Sequence, residues 1–285
     1  MRILLYSDYP ALFQALQEEA GRYSGIEILQ ACPNTELLTL PDFQFMILAP
    51  LVDTAEAGAT LCSAATLNTW QDKIKALIEL CNLREAQLLL ISSDLVFMPD
   101  QHVSSELDSP SNTSDLAKAL LKLEKKVAAH NQSIILRTTP SLSASPQGGL
   151  AKLVASCLAN ESPNTVIDAD KISYRGLQPL NDLARVLLGI LLQVAAGAKA
   201  WGLYHYAGNE PVTQRELLNT LARYLNIDAC QNIEASQSPD IKSPFVNQPS
   251  MSSQRLLNTF GVHPRAWREK LPELLEQLNE SAKTT

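Results

Sequence analysis

Arg2-Ile3-Leu4-Leu5-Tyr6-Ser7-Asp8-Tyr9-Pro10-Ala11-Leu12-Phe13-Gln14-Ala15-Leu16 is the stretch that decides the fold. It begins with a short apolar run, and Leu12, Phe13, Leu16 and Ala20 then recur at helical spacing, so strand, tight turn and helix is the implied order. The same alternation continues beyond it. Gly25 to Leu29 and Phe43 to Ala49 are predicted strands, the second apolar enough to be buried on both faces. Leu67, Trp70, Ile74, Leu77, Ile78 and Cys81 then predict one long amphipathic helix, and Leu88 to Ile91 a strand ending in Ser92-Ser93-Asp94. Strands alternating with helices at this spacing imply right-handed crossovers and a parallel sheet, an α/β doubly wound architecture.

In a dinucleotide-binding unit the first turn carries G-x-G-x-x-G, because glycine lets the backbone approach a pyrophosphate and lets the helix N-terminus face it. Here the turn, Ser7 to Phe13, holds no glycine. Asp8 brings a carboxylate to the place of a phosphate, and Pro10 is a good first helical residue that has no N–H to donate. The turn suits a stable helix start and suits an anion badly.

Downstream, residues 99 to 114 read as a loop, Ser114 to His130 as a helix and Ser133 to Arg137 as a strand. Leu116, Leu120, Leu123 and Val127 give that helix a core face, while Lys122, Lys125 and Lys126 read as its solvated face. Ser141 to Gly149 is expected to be a flexible loop, followed by a helix marked by Leu150, Leu153, Val154 and Cys157. From Pro163 the pieces become shorter: a strand over Thr165 to Asp168, a buried helix over Asn181 to Ala198 and a strand over Gly202 to Ala207. Thr213 to Glu216 is a capping box, residues 229 to 250 are polar and turn-rich, and two final helices are separated by Gly261 and Pro264.

Composition excludes several classes of partner. Twenty-three Lys and Arg against thirty Asp and Glu give a net charge of -7, which offers nothing to nucleic acid or an anionic membrane. The longest apolar stretch, Val186 to Ala200, contains Gln193 and Lys199 and falls short of the roughly 18 apolar residues a span needs. The five cysteines (Cys32, Cys62, Cys81, Cys157, Cys230) lack any metal-ligand spacing and are expected to be reduced core thiols in a cytoplasmic protein. His102, His130, His205 and His263 likewise show no spacing for a metal, and no G-x-S-x-G elbow accompanies the serines.

Several stretches together resemble the extended short-chain dehydrogenase/reductase family, and within it the dTDP-4-dehydrorhamnose reductase branch. Ile91-Ser92-Ser93-Asp94-Leu95-Val96-Phe97 is similar to that branch's I-S-T-D-Y-V-F, and Pro110 to Lys118 has the spacing of its P-x-N-x-Y-G-x-x-K. Asn181-Asp182-Leu183-Ala184, Gly202 to Gly208 and Trp267-Arg268-Glu269 follow in the expected order. The resemblance implies a Rossmann-like domain over residues 1–165 and a smaller α/β substrate-binding-type region over 166–285, interleaved as one compact unit. It also implies NAD(P) and a nucleotide-linked sugar as ligands, and leaves a homodimer open.

The departures from that family matter more than the likeness. Its three phosphate-loop glycines fall on Ser7, Pro10 and Phe13, where a phenyl ring favours a filled site. Its serine or threonine, tyrosine and lysine fall on Ser93, Ser114 and Lys118, so tyrosine has become serine. A phenol of pKa near 10 can be tuned by an adjacent cation to pass a proton, whereas an aliphatic hydroxyl is too weak an acid and lacks the reach. No intact catalytic set and no bound cofactor are therefore expected. The first reading is a binding or regulatory relative, for which the regulatory subunit of methionine adenosyltransferase is the family's precedent, with a protein partner or a small nucleotide or sugar as ligand. The second is an active NAD(P)-dependent reductase or epimerase with an altered cofactor loop. Ser92, Asp94, Tyr174, Arg175 and Asn181 are the residues expected around any remaining cleft, although Tyr174 also reads simply as a strand aromatic. Asp182, at a helix start, reads as an N-terminal cap or dipole partner.

Overall fold

The structure is a computed structural model and describes residues 1–53, 59–61, 63–98, 101–146, 148–158, 173–226 and 250–284. The first half runs β1 (Arg2–Tyr6), α1 (Pro10–Ala20), β2 (Glu27–Ala31), β3 (Phe45–Leu48), β4 (Leu51–Asp53), β5 (Ala59–Leu61), α2 (Ala64–Leu83), β6 (Gln87–Ser93), α3 (Asp115–Val127) and β7 (Ser133–Thr138). The second half runs β8 (Ser141–Leu142), α4 (Gly149–Leu158), β9 (Ser173–Arg175), β10 (Gln178–Pro179), α5 (Leu180–Ala195), β11 (Gly202–Tyr206), β12 (Pro211–Thr213), α6 (Gln214–Tyr224), α7 (Gln254–Phe260) and α8 (Trp267–Thr284). A single turn of 3-10 helix, Asp94–Val96, follows β6.

Six strands form one sheet in the order β11-β7-β6-β3-β1-β2, with every pair parallel. Their sequences explain this arrangement. Ile3, Leu4 and Leu5 of β1, and Met46, Ile47 and Leu48 of β3, are fully buried, as continuous apolar strands must be when helices cover both faces. The chain leaves β1 towards β2 and leaves β3 in the opposite direction, towards β6 and β7. Right-handed crossovers therefore place α1 on one face and the packed pair α2 and α3 on the other. α5 packs against α1.

Beyond the main sheet, β10-β8-β5-β4 and β12-β9 form two small sheets. A second apolar cluster, including Leu142, Leu150, Leu177, Leu217, Trp267 and Leu274, sits under them. The main cluster takes in α5 and β11 as well as the first half of the chain. The join is tight at Gly208, whose N–H donates to Gly176 O at 2.9 Å. A Cβ there would collide with the carbonyl oxygens of Leu177 and Gly176, and Gly176 itself has φ +120°.

Several expectations change in detail. Gly25, with φ +77°, belongs to the turn before β2, so the strand starts at Glu27. The loop predicted from Ser141 to Gly149 begins with β8, whose two residues pair with Gln178 and Pro179, a run too short for any periodicity to announce. The helix predicted to Ala198 ends at Ala195, where Gly197 adopts φ +103°. The box at Thr213 is half made: Thr213 Oγ1 accepts from Glu216 N at 3.1 Å, while the Glu216 carboxylate meets Arg268. Cys81 and Cys157 are buried but Cys32 is exposed, so it is no core thiol. The strand predicted over Thr165 to Asp168, most of 229 to 250, Cys62 and Cys230 lie outside the described residues. Among the described residues no helix is long and apolar enough to cross a membrane.

Candidate functional site

Ligands of doubly wound sheets sit at the carboxyl ends of the strands, where the strand order reverses. In this sheet that place lies above β1 and its neighbours β3 and β6.

Above β1 the glycine-free turn is held by its own side chain. Ser7 is fully buried; its N–H donates to Ala31 O at 2.9 Å, its Oγ donates to Ala49 O at 2.6 Å, and the same Oγ accepts from Tyr9 N at 3.2 Å. One hydroxyl thus ties the ends of β1 and β3 to the first residue before α1. Tyr9 is buried and caps α1 without a side-chain hydrogen bond, Pro10 opens the helix exposed, and the Phe13 ring is half-buried against the main core. At the end of β2, Tyr6 Oη donates to Pro33 O at 2.9 Å and Lys73 Nζ of α2 donates to the same carbonyl. Trp70 meets the Tyr6 ring edge-on at 5.4 Å, which packs α2 against this corner. Burial and the nearby Asp8 carboxylate both push the Tyr6 phenol up; burial and a hydrogen bond to Asp8 do the same to the Cys32 thiol.

At the end of β6 the three positions that the resemblance equates with a catalytic trio, Ser93, Ser114 and Lys118, lie on two adjoining elements. Ser93 Oγ accepts from Leu95 N at 3.2 Å and donates to Asp94 Oδ1 at 3.1 Å, starting the short 3-10 turn. Ser114 Oγ accepts from Ala117 N at 3.2 Å as the N-cap of α3. Lys118 is 59% exposed, 3.9 Å from the exposed Asp115. Asp94 is more enclosed. Ser250 Oγ donates to its Oδ2 at 2.8 Å; burial raises its carboxyl pKa, while the two serine hydroxyls and the Arg175 charge pull it part of the way back.

Of the residues expected around a cleft, Asp94 and Arg175 come together, while Ser92, Tyr174 and Asn181 lie elsewhere. Arg175, whose charge is felt at Asp94, donates from Nη1 to Gln101 O at 2.9 Å. Tyr174 pairs in the β9 ladder with Val212. Asn181 lines a groove of about 540 Å³ between α1, α5 and α8, together with Tyr9, Pro10 and Glu18. A second groove, of about 310 Å³, lies between Ala207, Met251 and His263. Neither groove is lined by Ser7, Ser93, Ser114 or Lys118.

Ser92 turns the other way, into a buried network that the sequence did not announce. Its Oγ donates to Glu124 Oε1, and Arg137 holds the same carboxylate with Nε at 3.0 Å and Nη2 at 2.7 Å. Arg137 Nη1 lies 3.5 Å from His205 Nε2, and His205 Nδ1 lies 3.3 Å from Ser104 O. These two contacts require the tautomer protonated at Nδ1, with Nε2 accepting from the guanidinium. Burial, followed by the Arg137 charge, pushes His205 down to about 3. The only sequence signal for this network was a lone arginine and a lone histidine inside otherwise apolar strands. Asp182 is not the cap of α5, which is Pro179. It lies fully buried in the first turn, accepting from Tyr206 Oη and from Arg185 Nε at 2.7 Å.

Residues 51–280 match the family described as RmlD substrate binding domain. The fold is similar to that of a dTDP-4-dehydrorhamnose reductase from Clostridium acetobutylicum, with TM-score 0.72 and 18% identity over 98% of this chain and 100% of that one. It is also similar to a dTDP-glucose 4,6-dehydratase from Bacillus anthracis in complex with NAD, with TM-score 0.74 and 14% identity over 99% and 98% of the two chains. A dTDP-4-dehydrorhamnose reductase from Bacillus anthracis in complex with NADP gives TM-score 0.63 and 15% identity over 97% and 99%. No curated protein matches the sequence.

Proposed function

The chain belongs to the RmlD substrate binding domain family, and from that premise we propose that it is a non-catalytic, binding or regulatory relative of the sugar-nucleotide reductases. One observation carries this reading: the groups at the inherited catalytic positions are committed elsewhere, Ser93 and Ser114 to backbone caps and Lys118 to solvent and Asp115. A hydride transferred to a sugar carbonyl needs a proton delivered to the oxygen, and a helix-capping serine can neither ionise near neutrality nor leave its cap without cost. The turn residues fit a dinucleotide equally badly. A pyrophosphate needs exposed N–H groups, whereas Ser7 N and Tyr9 N are already bonded, Pro10 has none and Asp8 repels the charge.

What such a protein would bind is a nucleotide-linked sugar in the substrate-type region, or another protein. With dTDP-4-keto sugars and NADH or NADPH, the purified protein is expected to oxidise no cofactor above the protein-free rate. Turnover that disappears in Lys118→Ala would overturn the proposal. A second reading, an active NAD(P)-dependent reductase with a replaced acid, draws on Asp94, whose carboxyl holds its proton above the ordinary carboxylate range beside Ser93. Turnover lost specifically in Asp94→Asn would favour it.

A further inference from the structure

Two segments far apart in sequence, residues 101–106 and 250–253, are joined beside the carboxyl ends of β6 and β11. Ser104 and Met251 form a parallel bridge, in which Ser104 N–H donates to Ser250 O at 3.0 Å and Ser252 N–H donates to Ser104 O at 2.9 Å. The strap so formed is tied down at three places. At β9, Ser250 N–H donates to Arg175 O and Arg175 Nη1 donates to Gln101 O, both at 2.9 Å. Next to β6, Ser250 Oγ donates to Asp94 Oδ2 at 2.8 Å. Along β11, His205 N–H donates to Glu106 Oε1 at 2.9 Å, His205 Nδ1 lies 3.3 Å from Ser104 O, and Ala207 N–H donates to Ser253 Oγ at 3.0 Å. The strap's apolar grip is slight by comparison. Met251 is its one buried apolar side chain, whereas β3 and β6 bury continuous apolar runs. A segment held by single hydrogen bonds and one apolar anchor opens at a free energy below that of the whole protein.

We propose that this strap is a gate, opening and closing as one unit apart from global unfolding, and that in its closed state it withholds the Asp94 carboxylate from any ligand at the end of β6. The unit follows from the bridge: the two segments bond each other, so release at β6 loosens the contacts at β11 as well. Opening takes Ser250 off Asp94 and Ser104 off His205 in one step. The gate depends neither on which ligand the strand end takes nor on whether that ligand reacts there.

Native-state amide hydrogen exchange of the full chain, in a series of sub-denaturing urea concentrations, tests this. The N–H groups of Ser104, Ser250 and Ser252 are expected to share one opening free energy, lower than that of the β3 and β6 amides. Ser250→Ala, at the β6 end, and Glu106→Ala, at the β11 end, are each expected to speed exchange of all three about ten-fold while leaving β3 and β6 unchanged. Carbodiimide coupling of glycine ethyl ester to Asp94, read by peptide mass, is expected to speed up by a similar factor in Glu106→Ala, although Glu106 bonds His205 rather than Asp94. Unequal opening energies for the three amides, exchange only through global unfolding, variants that act only on their own neighbours, or unchanged coupling at Asp94 would each overturn the proposal.

Discussion

Two sets of polar side chains stand at the carboxyl ends of the same parallel sheet, and they are used in opposite ways. Ser7, Ser93 and Ser114, which the resemblance sets at a glycine and two catalytic hydroxyls, bond backbone groups, and Ser93 also donates to the Asp94 carboxylate. Ser92, Glu124, Arg137 and His205 lie beneath them, shut off from water and satisfied by one another across β6, α3, β7 and β11. The first set acts at three separate places, Ser7 tying β1 to β3 and Ser93 and Ser114 capping helix starts. In the second set, removal of Arg137 or Glu124 leaves its partner's charge in a low-dielectric core. A site that moves protons needs its groups poised and free, and the proposed non-catalytic reading rests on the contrast with these committed side chains.

The largest break in that contrast is expected from Arg137→Ala, which strands the Glu124 carboxylate. A loss of about 3–5 kcal/mol in denaturant-measured stability is expected, with a much smaller loss when Glu124 is replaced by leucine and Arg137 by methionine together. A loss below about 1 kcal/mol in the single variant would show that the network is solvated. Gly208→Ala comes next, at about 2–3 kcal/mol, because its methyl group has carbonyl oxygens on its path.

His205 gives the contrast a pH signature. Its folded pKa of about 3 lies below the unfolded value of 6.5, so between these two limits the unfolded chain binds the extra proton. Stability is complete above about pH 6.5 and falls as pH drops towards 3, by at most about 1.4 kcal/mol per unit. Unfolding free energies measured at pH 7 and 5 should converge in His205→Gln, and an unchanged slope in that variant would assign the loss to other groups. The capping serines should matter less: Ser114→Ala is expected to cost about 1 kcal/mol. Lys118→Ala should be the smallest, within about 0.5 kcal/mol, since its contact with Asp115 is exposed.

Much of the fold was legible because its signals are repeated along the chain. Leu67, Trp70, Ile74, Leu77 and Cys81 are all buried on one stripe of α2, and Ile3 to Leu5 lie in the sheet centre. β8, β10 and β12 were not legible, since two or three residues carry no period and are fixed only by their partners. The positions that the resemblance assigns could be located by number, but their hydrogen bonds could not. That Ser7 binds Ala49, or that Ser114 caps α3, depends on side-chain direction. Arg137 and His205 are separated by 68 residues and meet only because β7 and β11 are neighbours in the sheet.

The central claim is that the strand ends no longer grip a dinucleotide, and calorimetric titration of the full chain with NADPH tests it most directly. The account predicts no saturable heat and no rise in melting temperature, although a ligand at 100 times its Kd would stabilise the protein by about 2.7 kcal/mol. Saturable one-to-one binding, abolished when the turn from Ser7 to Phe13 is altered, would contradict it.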